Sequence, residues 1–312
     1  MRHALAYDLG GTKLAAAVVS EAGEILQQMK VATPLSNGPQ GLIKSLVDVG
    51  QELLKGHSIS AIGLSSAGPL DSHKGVLLNP TNFVTAGEKW GQVDIVAPLQ
   101  AALKLPVLLE NDAAAAVVGE FWMGGFSSAR SLTVMTLGTG VGIGTMIDGR
   151  LVRCRDGFHP DFSHTYINSG DTLAPCGCGN LGCIEAYLGG LNFPQYYARK
   201  TGGPRYTGHE IVEKAKAQDE YSLKAFDLYA DFMAKAIQNI VVTYGVEHIV
   251  FSGSFSNSYS LFSAKTLTLL EALLKERREG VDFMPTLHLS RIQDSAGLMG
   301  AAQMAFALPK RF

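Results

Sequence analysis

The sequence predicts a duplicated α/β protein, and three observations carry that expectation. A glycine-rich hairpin pattern, ALAYDLGGTKLAAAVV, occupies residues 4–19, and the same order of apolar strand, Gly/Thr turn and apolar strand returns in RSLTVMTLGTGVGIGTMIDGRL at residues 130–151. Each hairpin is followed by alternating helix and strand patterns, the signature of α/β architecture. The chain has 312 residues, 46% of them hydrophobic, which is more than one core ordinarily holds.

The elements follow in order. After the first hairpin, EILQQMKV reads as a third strand. Residues 40–55 read as an amphipathic helix, with Leu42, Ile43, Leu46, Val47, Leu53 and Leu54 largely on one face. ISAIGLSS is a buried strand ending in the turn AGPLD, and PVLLE is another that runs into NDAAAAVVGEF, an Asn-Asp pair opening an Ala-rich helix. Past the second hairpin and an irregular cysteine-bearing segment, residues 208–245 carry helical periodicity through Leu223, Phe226, Tyr229, Phe232, Met233, Ala236, Ile237 and Ile240. The strand EHIVFSG, the loop SGSFS, a helix near 262–278, the strand TLHLS and a helix from Ser295 to Ala307 complete the pattern. No low-complexity linker separates the halves, so a boundary near residue 120 is expected to be a hinge.

Charge narrows the function. With 26 basic and 28 acidic side chains the formal net charge is −2, and no Lys/Arg cluster appears, so neither nucleic acid nor an anionic membrane is an expected partner. The long uncharged stretch between Arg130 and Asp148 is interrupted by Gly and Thr and is short for a bilayer span. Asp8 breaks any apolar run in MRHALAYDLGG, so no secretory signal is expected and a cytoplasmic location is.

Three groups of residues carry chemistry. In the first turn, Asp8 ends a strand, Gly10 and Gly11 let backbone amides approach an anion, Thr12 adds a hydroxyl and Lys13 a cation. Gly138, Thr139 and Gly140 form a second turn of the same kind. Two such turns facing each other can cradle a polyphosphate, with Asp8 holding its Mg2+ directly or through water. Neither fits the G-x-x-x-x-G-K-[ST] pattern and both lead into strands, which disfavours P-loop and dinucleotide folds; two ordinary glycine hairpins are the alternative.

Glu110-Asn111-Asp112 sits where a buried strand meets a helix. Spacing alone favours a helix cap there, while a carboxylate at this place can also take a proton from a hydroxyl undergoing phosphorylation. Cys176, Cys178 and Cys183 with His164 upstream make a Cys3His set suited to a closed, structural Zn2+ site. An iron–sulfur cluster and reduced cysteines in a glycine turn are the alternatives. Cys154 lies off this pattern and reads as a small buried hydrophobe. Asp161 and Glu185 flank the set, and a metal there would hold both carboxylates near one spot, either to grip sugar hydroxyls or to support the metal ligands.

DLGGTK, LENDA, LGTGVGIG and above all CGCGNLGCIE, with its upstream His, resemble the ROK family of sugar kinases, within the actin, Hsp70 and hexokinase superfamily. The resemblance covers nearly the whole chain, the terminal DSAGLMGAA included. It implies a duplicated ribonuclease-H-like (actin/hexokinase-type) fold of two lobes with an interdomain cleft: residues 1–120 plus about 296–312 in a smaller lobe, and 121–295 in a larger, zinc-binding one. It implies ATP-dependent phosphorylation of a hexose, most simply glucose to glucose 6-phosphate. An N-acetylglucosamine, N-acetylmannosamine or fructose kinase, and a sugar sensor without turnover, are the alternatives.

By the same resemblance Asp112 is the general base, and Asn111, Asp161, His164, Glu185 and Gly68 contact the sugar. Asp8, Gly10, Gly11, Thr12 and Lys13, then Gly138, Thr139 and Gly140, bind the phosphates of ATP with Mg2+, and Gly253 and Ser254 the adenosine. His164 serves sugar and zinc through different ring nitrogens. A homodimer is expected by analogy. The family's repressors carry an added N-terminal DNA-binding region, which is not expected here with the phosphate turn starting at Asp8. Asp161 stands where the family has Glu, one methylene and about 1.5 Å shorter. Ala114 replaces an Asn, Ala67-Gly68-Pro69 departs from the usual Pro-Gly of the sugar loop, and Ser252-Gly253-Ser254 stands where two glycines are common.

Overall fold

The computed structural model describes residues 1–80, 83–277 and 282–307. Residue 278 of the expected 262–278 helix and residues 308–312 of the expected smaller lobe lie outside the described residues. The chain divides into two compact units. The first comprises Met1–Ser128, Leu151–Pro160 and the segment from Ser295; the second comprises Ala129–Arg150 and Asp161–Asp294.

In the first unit, His3–Leu9 and Lys13–Ser20 pair as an antiparallel hairpin, Ile25–Ala32 extends it, and Ile59–Ser66 and then Val107–Asn111 add in parallel on the other side. The second unit repeats the order: a hairpin of Ser131–Leu137 and Val141–Ile147, a short strand Arg150–Leu151 outside it, and parallel strands His248–Ser252 and Thr286–Leu289. The duplicated α/β architecture read from the two glycine hairpins is therefore present in the strand order itself. The uncharged 131–147 stretch is this second hairpin, held in register partly by a buried hydroxyl pair, Thr133 and Thr145, 2.8 Å apart. Among the described residues no helix is long and apolar enough to cross a membrane.

Small residues set the helix packing of the first unit. The helices Asp112–Met123 and Ala296–Phe306 approach backbone to backbone: a Cβ on Gly119 would strike the carbonyl of Ala296, and one on Gly300 the carbonyl of Ala115. Gly63, on the strand Ile59–Ser66 beside the central one, likewise receives the carbonyl of Ala301. The Ala-rich composition of both helices is what permits that separation. The second unit is cored by aromatics instead, with Phe193, Phe226, Tyr229 and Phe262 all buried between the Glu220–Tyr244 helix and its neighbours.

Three expectations need correction. The 208–245 pattern is two helices, Gly208–Lys216 and Glu220–Tyr244, because Gln218 takes a left-handed φ of 63° and Asp219 caps the second through Ser222. Cys154 is exposed, since it opens the short 3-10 turn Arg155–Gly157 at the surface. The cap residue at the Asn-Asp pair is Asn111, and Asp112 is the first residue of the helix. Short elements that the sequence patterns do not mark are also present, among them the helices Val96–Leu103 and Asn192–Thr201 and the small sheet of Leu70–Asp71, Val76–Leu78 and Gln92–Asp94.

Candidate active site

In the first unit the parallel register sets Asp8 opposite Ser65, and Ser65 opposite Glu110, so Asp8 and the Asn111-Asp112 junction lie at the same, carboxyl end of the sheet. Ligands of open α/β sheets bind at that end. Ser65, fully buried, donates its hydroxyl to Asp8 Oδ1 at 3.1 Å. The turn after Asp8 is closed by Gly10 N–H donating to the Lys13 carbonyl at 3.0 Å and by Thr33 donating to the Gly10 carbonyl at 2.7 Å, which leaves Thr12 and Lys13 exposed. Gly297 meets the Asp8 carboxylate so closely that a Cβ there would sit 2.8 Å from Oδ1.

Asn111 is extended and its Oδ1 accepts the N–H groups of Ala113 at 2.9 Å and Ala114 at 3.2 Å. With the cap supplied by its neighbour, Asp112 is not needed for that task. Burial, and then the negative charge of Asp8, push the Asp112 carboxyl up from 3.8 to about 6, against the opposing hydrogen bond from Ala113 N–H. Gly68 lies against the Asn111 amide, where a Cβ would be 3.4 Å from Nδ2.

The sequence reading singled out Glu110 only as a neighbour of Asp112. It is 1% exposed and receives both terminal nitrogens of Arg153: Nη1 reaches Oε1 at 2.9 Å and Nη2 is in still closer contact with Oε2. A charged residue in a fully buried strand signals that a partner exists, without saying which.

In the second unit the Gly138-Thr139-Gly140 turn is closed by Gly138 N–H donating to the Gly140 carbonyl at 3.0 Å. Gly190 and Leu191 N–H groups take the carbonyls of Gly138 and Thr139 at 2.8 and 3.1 Å. Glu185 reaches this turn from the helix Ile184–Leu188: its Oε2 accepts Val141 N–H at 3.1 Å, and Gly140 leaves the room for it. Gly253 has φ 85° and abuts the Leu137 backbone, beginning the turn that carries Ser254. An open cavity of about 460 Å3 is lined by Gly138, Thr139 and Ser254 together with Leu191, His209 and Phe255. Leu191, His209 and Phe255 were not anticipated, since no motif marks them.

The ligand atoms of His164, Cys176, Cys178 and Cys183 all lie within 4.8 Å of one another. His164 Nδ1 is 3.4 Å from Cys176 Sγ, and Cys178 Sγ is 3.7 Å from Cys183 Sγ. A tetrahedral ion with arms of about 2.3 Å to sulfur and 2.05 Å to nitrogen would need edges of about 3.8 Å and 3.6 Å, so the donor set fits a closed four-coordinate site. The tight turn that brings Cys176 and Cys178 together depends on Gly179, whose φ is 92°. Glu185 touches this cluster as well, its Oε1 lying 3.6 Å from Cys176 Sγ. Asp161 is exposed at the start of the 3-10 turn Phe162–His164, and its side chain makes no cap hydrogen bond.

A model of the ROK family matches residues 4–307. A glucokinase of Pyrobaculum calidifontis is 29% identical over 309 residues, covering 98% of this chain and 96% of the relative. A ROK hexokinase from Thermus thermophilus superposes with a TM-score of 0.85 at 27% identity, over 99% of this chain and 100% of that one. A ROK family glucokinase from Streptomyces griseus, solved in complex with glucose and AMPPNP, does so with a TM-score of 0.77 at 27% identity, over 97% and 99%.

Proposed function

The chain belongs to the ROK family, and from that membership we propose an ATP-dependent sugar kinase that phosphorylates a hexose hydroxyl in the manner of a glucokinase. Asp112 is the observation that carries the reading. Asn111 is the cap residue, and the Asp112 carboxyl, which accepts a hydrogen bond from Ala113 N–H, is raised to about 6 by burial and by Asp8. A base so placed is ionised near neutral pH, yet basic enough to accept a proton as phosphoryl transfer proceeds.

In the proposed reaction the sugar oxygen bonds to the γ-phosphorus while the bond from that phosphorus to the β,γ-bridging oxygen breaks. The hydroxyl proton passes to Asp112, and ADP leaves with the bridging electrons. Lys13, Thr12 and the amides of Gly10 and Gly11, with Gly138, Thr139 and Gly140, are assigned to the phosphates, and the turn of Gly253 and Ser254 to the adenosine. Mg2+ on the nucleotide supplies neutralisation of phosphoryl charge, and Asp8 is the carboxylate assigned to hold it. Asn111, Gly68, Glu185, Asp161 and the Nε2 of His164 are assigned to the sugar.

We assign Zn2+ to the Cys3His cluster. All four donors come from the protein, so the ion holds the segment in shape and takes no part in phosphoryl transfer. Homodimeric assembly and cytoplasmic residence belong to the same proposal.

A coupled assay of ADP release with glucose, mannose, fructose and the N-acetylhexosamines tests the reading. Turnover is expected with glucose, and its loss in Asp112→Asn. Absence of phosphorylation of every one of these sugars by the intact chain overturns it.

A further inference from the structure

We propose that Arg153 is a positioning residue for the phosphoryl-transfer step, fixing the strand-to-helix junction that carries Asp112 by gripping Glu110. The inference rests on the kinase reading above. The chain of contacts is continuous. Arg153 meets Glu110 with both terminal nitrogens, and Glu110 Oε1 also accepts the Asn111 N–H at 2.9 Å. Asn111 Oδ1 then takes the first free amides of the helix, at Ala113 and Ala114, with Asp112 held between strand and cap. Arg153 in turn donates to the Gly157 carbonyl at 3.4 Å, so the guanidinium has a second anchor.

Stability alone does not account for the pair. Every residue of Val107–Asn111 is buried, and a buried ion pair is commonly no more stabilising than an apolar pair of similar size. What an apolar pair cannot supply is an acceptor fixed in place for the Asn111 N–H. A guanidinium, with its planar two-nitrogen grip, orients a carboxylate as an ammonium does not. The ionisable groups around Asp112 are few. Asp8 comes from the first strand and Glu110 from its own, while neither the Ala296–Phe306 helix nor the Ile59–Ser66 strand carries an ionisable side chain.

The test compares Arg153→Lys, Arg153→Met and the double variant Arg153→Met/Glu110→Gln with the intact chain. Amide hydrogen exchange at Asn111, Ala113 and Ala114, measured without substrates, is expected to quicken about tenfold in Arg153→Met and less in Arg153→Lys. In turnover, kcat is expected to fall about tenfold in Arg153→Met with KM for ATP within about twofold. The acid limb of its kcat profile is expected to move to higher pH, because loss of the guanidinium leaves an unopposed negative charge two residues from Asp112. The double variant removes that charge and returns the limb to its original place. Should Arg153→Met fail to fold, Arg153→Lys carries both readouts. Unchanged exchange at the three amides, or a kcat loss with an unmoved acid limb, overturns the proposal. If the intact chain phosphorylates no hexose, the kinase reading falls, while the exchange data still judge Arg153.

Discussion

Glu185 takes the amide of Val141 at 3.1 Å and brings its other oxygen to 3.6 Å from Cys176, joining the second glycine turn to the Cys3His cluster through one carboxylate. The contact is possible because Gly140 has no side chain: a Cβ there would fall on the carboxylate. A loop that sequence patterning offers as a phosphate cradle is thus set by a residue of the cysteine-bearing segment.

Gly140→Ala should therefore push Glu185 off its amide. We expect kcat/KM for ATP to fall about tenfold, equivalent to about 1.4 kcal/mol, with the melting temperature little changed. Steady-state kinetics beside a thermal melt would check this, and an unchanged kcat/KM would show that the turn does not depend on Glu185.

Asp112 predicts opposite effects of pH on rate and stability. In the proposed reaction the ionised form is the base, so kcat should decline about tenfold per pH unit below about 6. Because folding raises this carboxyl above its ordinary 3.8, the folded state keeps a proton that the unfolded state has already released between the two values. Stability then decreases as pH rises through that window and is lowered throughout above it. Asp112→Asn should abolish turnover, raise the melting temperature at pH 7, and leave it unaltered below pH 3.8, where the carboxyl is protonated in both states. Calorimetry at the two pH values is the measurement, and a gain in melting temperature that persists in acid would contradict the assignment.

Metal analysis should find zinc in equal amount to the protein, and Cys178→Ser should release it. Loss of a closed structural ion ought to lower the melting temperature and expose the 164–183 segment to proteolysis while leaving the first unit's core amides protected. Full zinc retention in the serine variant would exclude Cys178 as a ligand.

Gly300→Ala tests the helix packing. The added methyl meets the Ala115 carbonyl with no void to enter, so unfolding free energy should drop by about 1–3 kcal/mol, read from urea titration. A neutral result would mean that the two helices can separate without cost.

Much of this was legible in the sequence because its signals are local. Alternation of small apolar residues around Gly10 and Gly140 marked both hairpins, and the close spacing of Cys176, Cys178 and Cys183 marked the cluster that the structure assembles with His164. The break at Gln218 was hidden by apolar periodicity that runs across it, although Thr207 and Glu210 form a capping box that fixes the first helix's start. Arg153 was illegible for a different reason. Its partner is 43 residues away, and nothing in either neighbourhood names the other. The Gly297 contact with Asp8 was equally hidden, since the two meet only when the last helix packs on the first sheet.

That last helix bears on the order of events at the ribosome. Ala296–Phe306 supplies the layer against which the Asp112–Met123 helix and the strand Ile59–Ser66 close. The amino-terminal sheet, although translated first, cannot complete its interior until residue 306 has emerged. The second unit, contiguous apart from one excursion at Leu151–Pro160, has all of its strands some residues earlier. Completion of the first unit thus waits on the helix from Ala296, and Asp8, at the carboxyl end of the sheet, meets Gly297 only then.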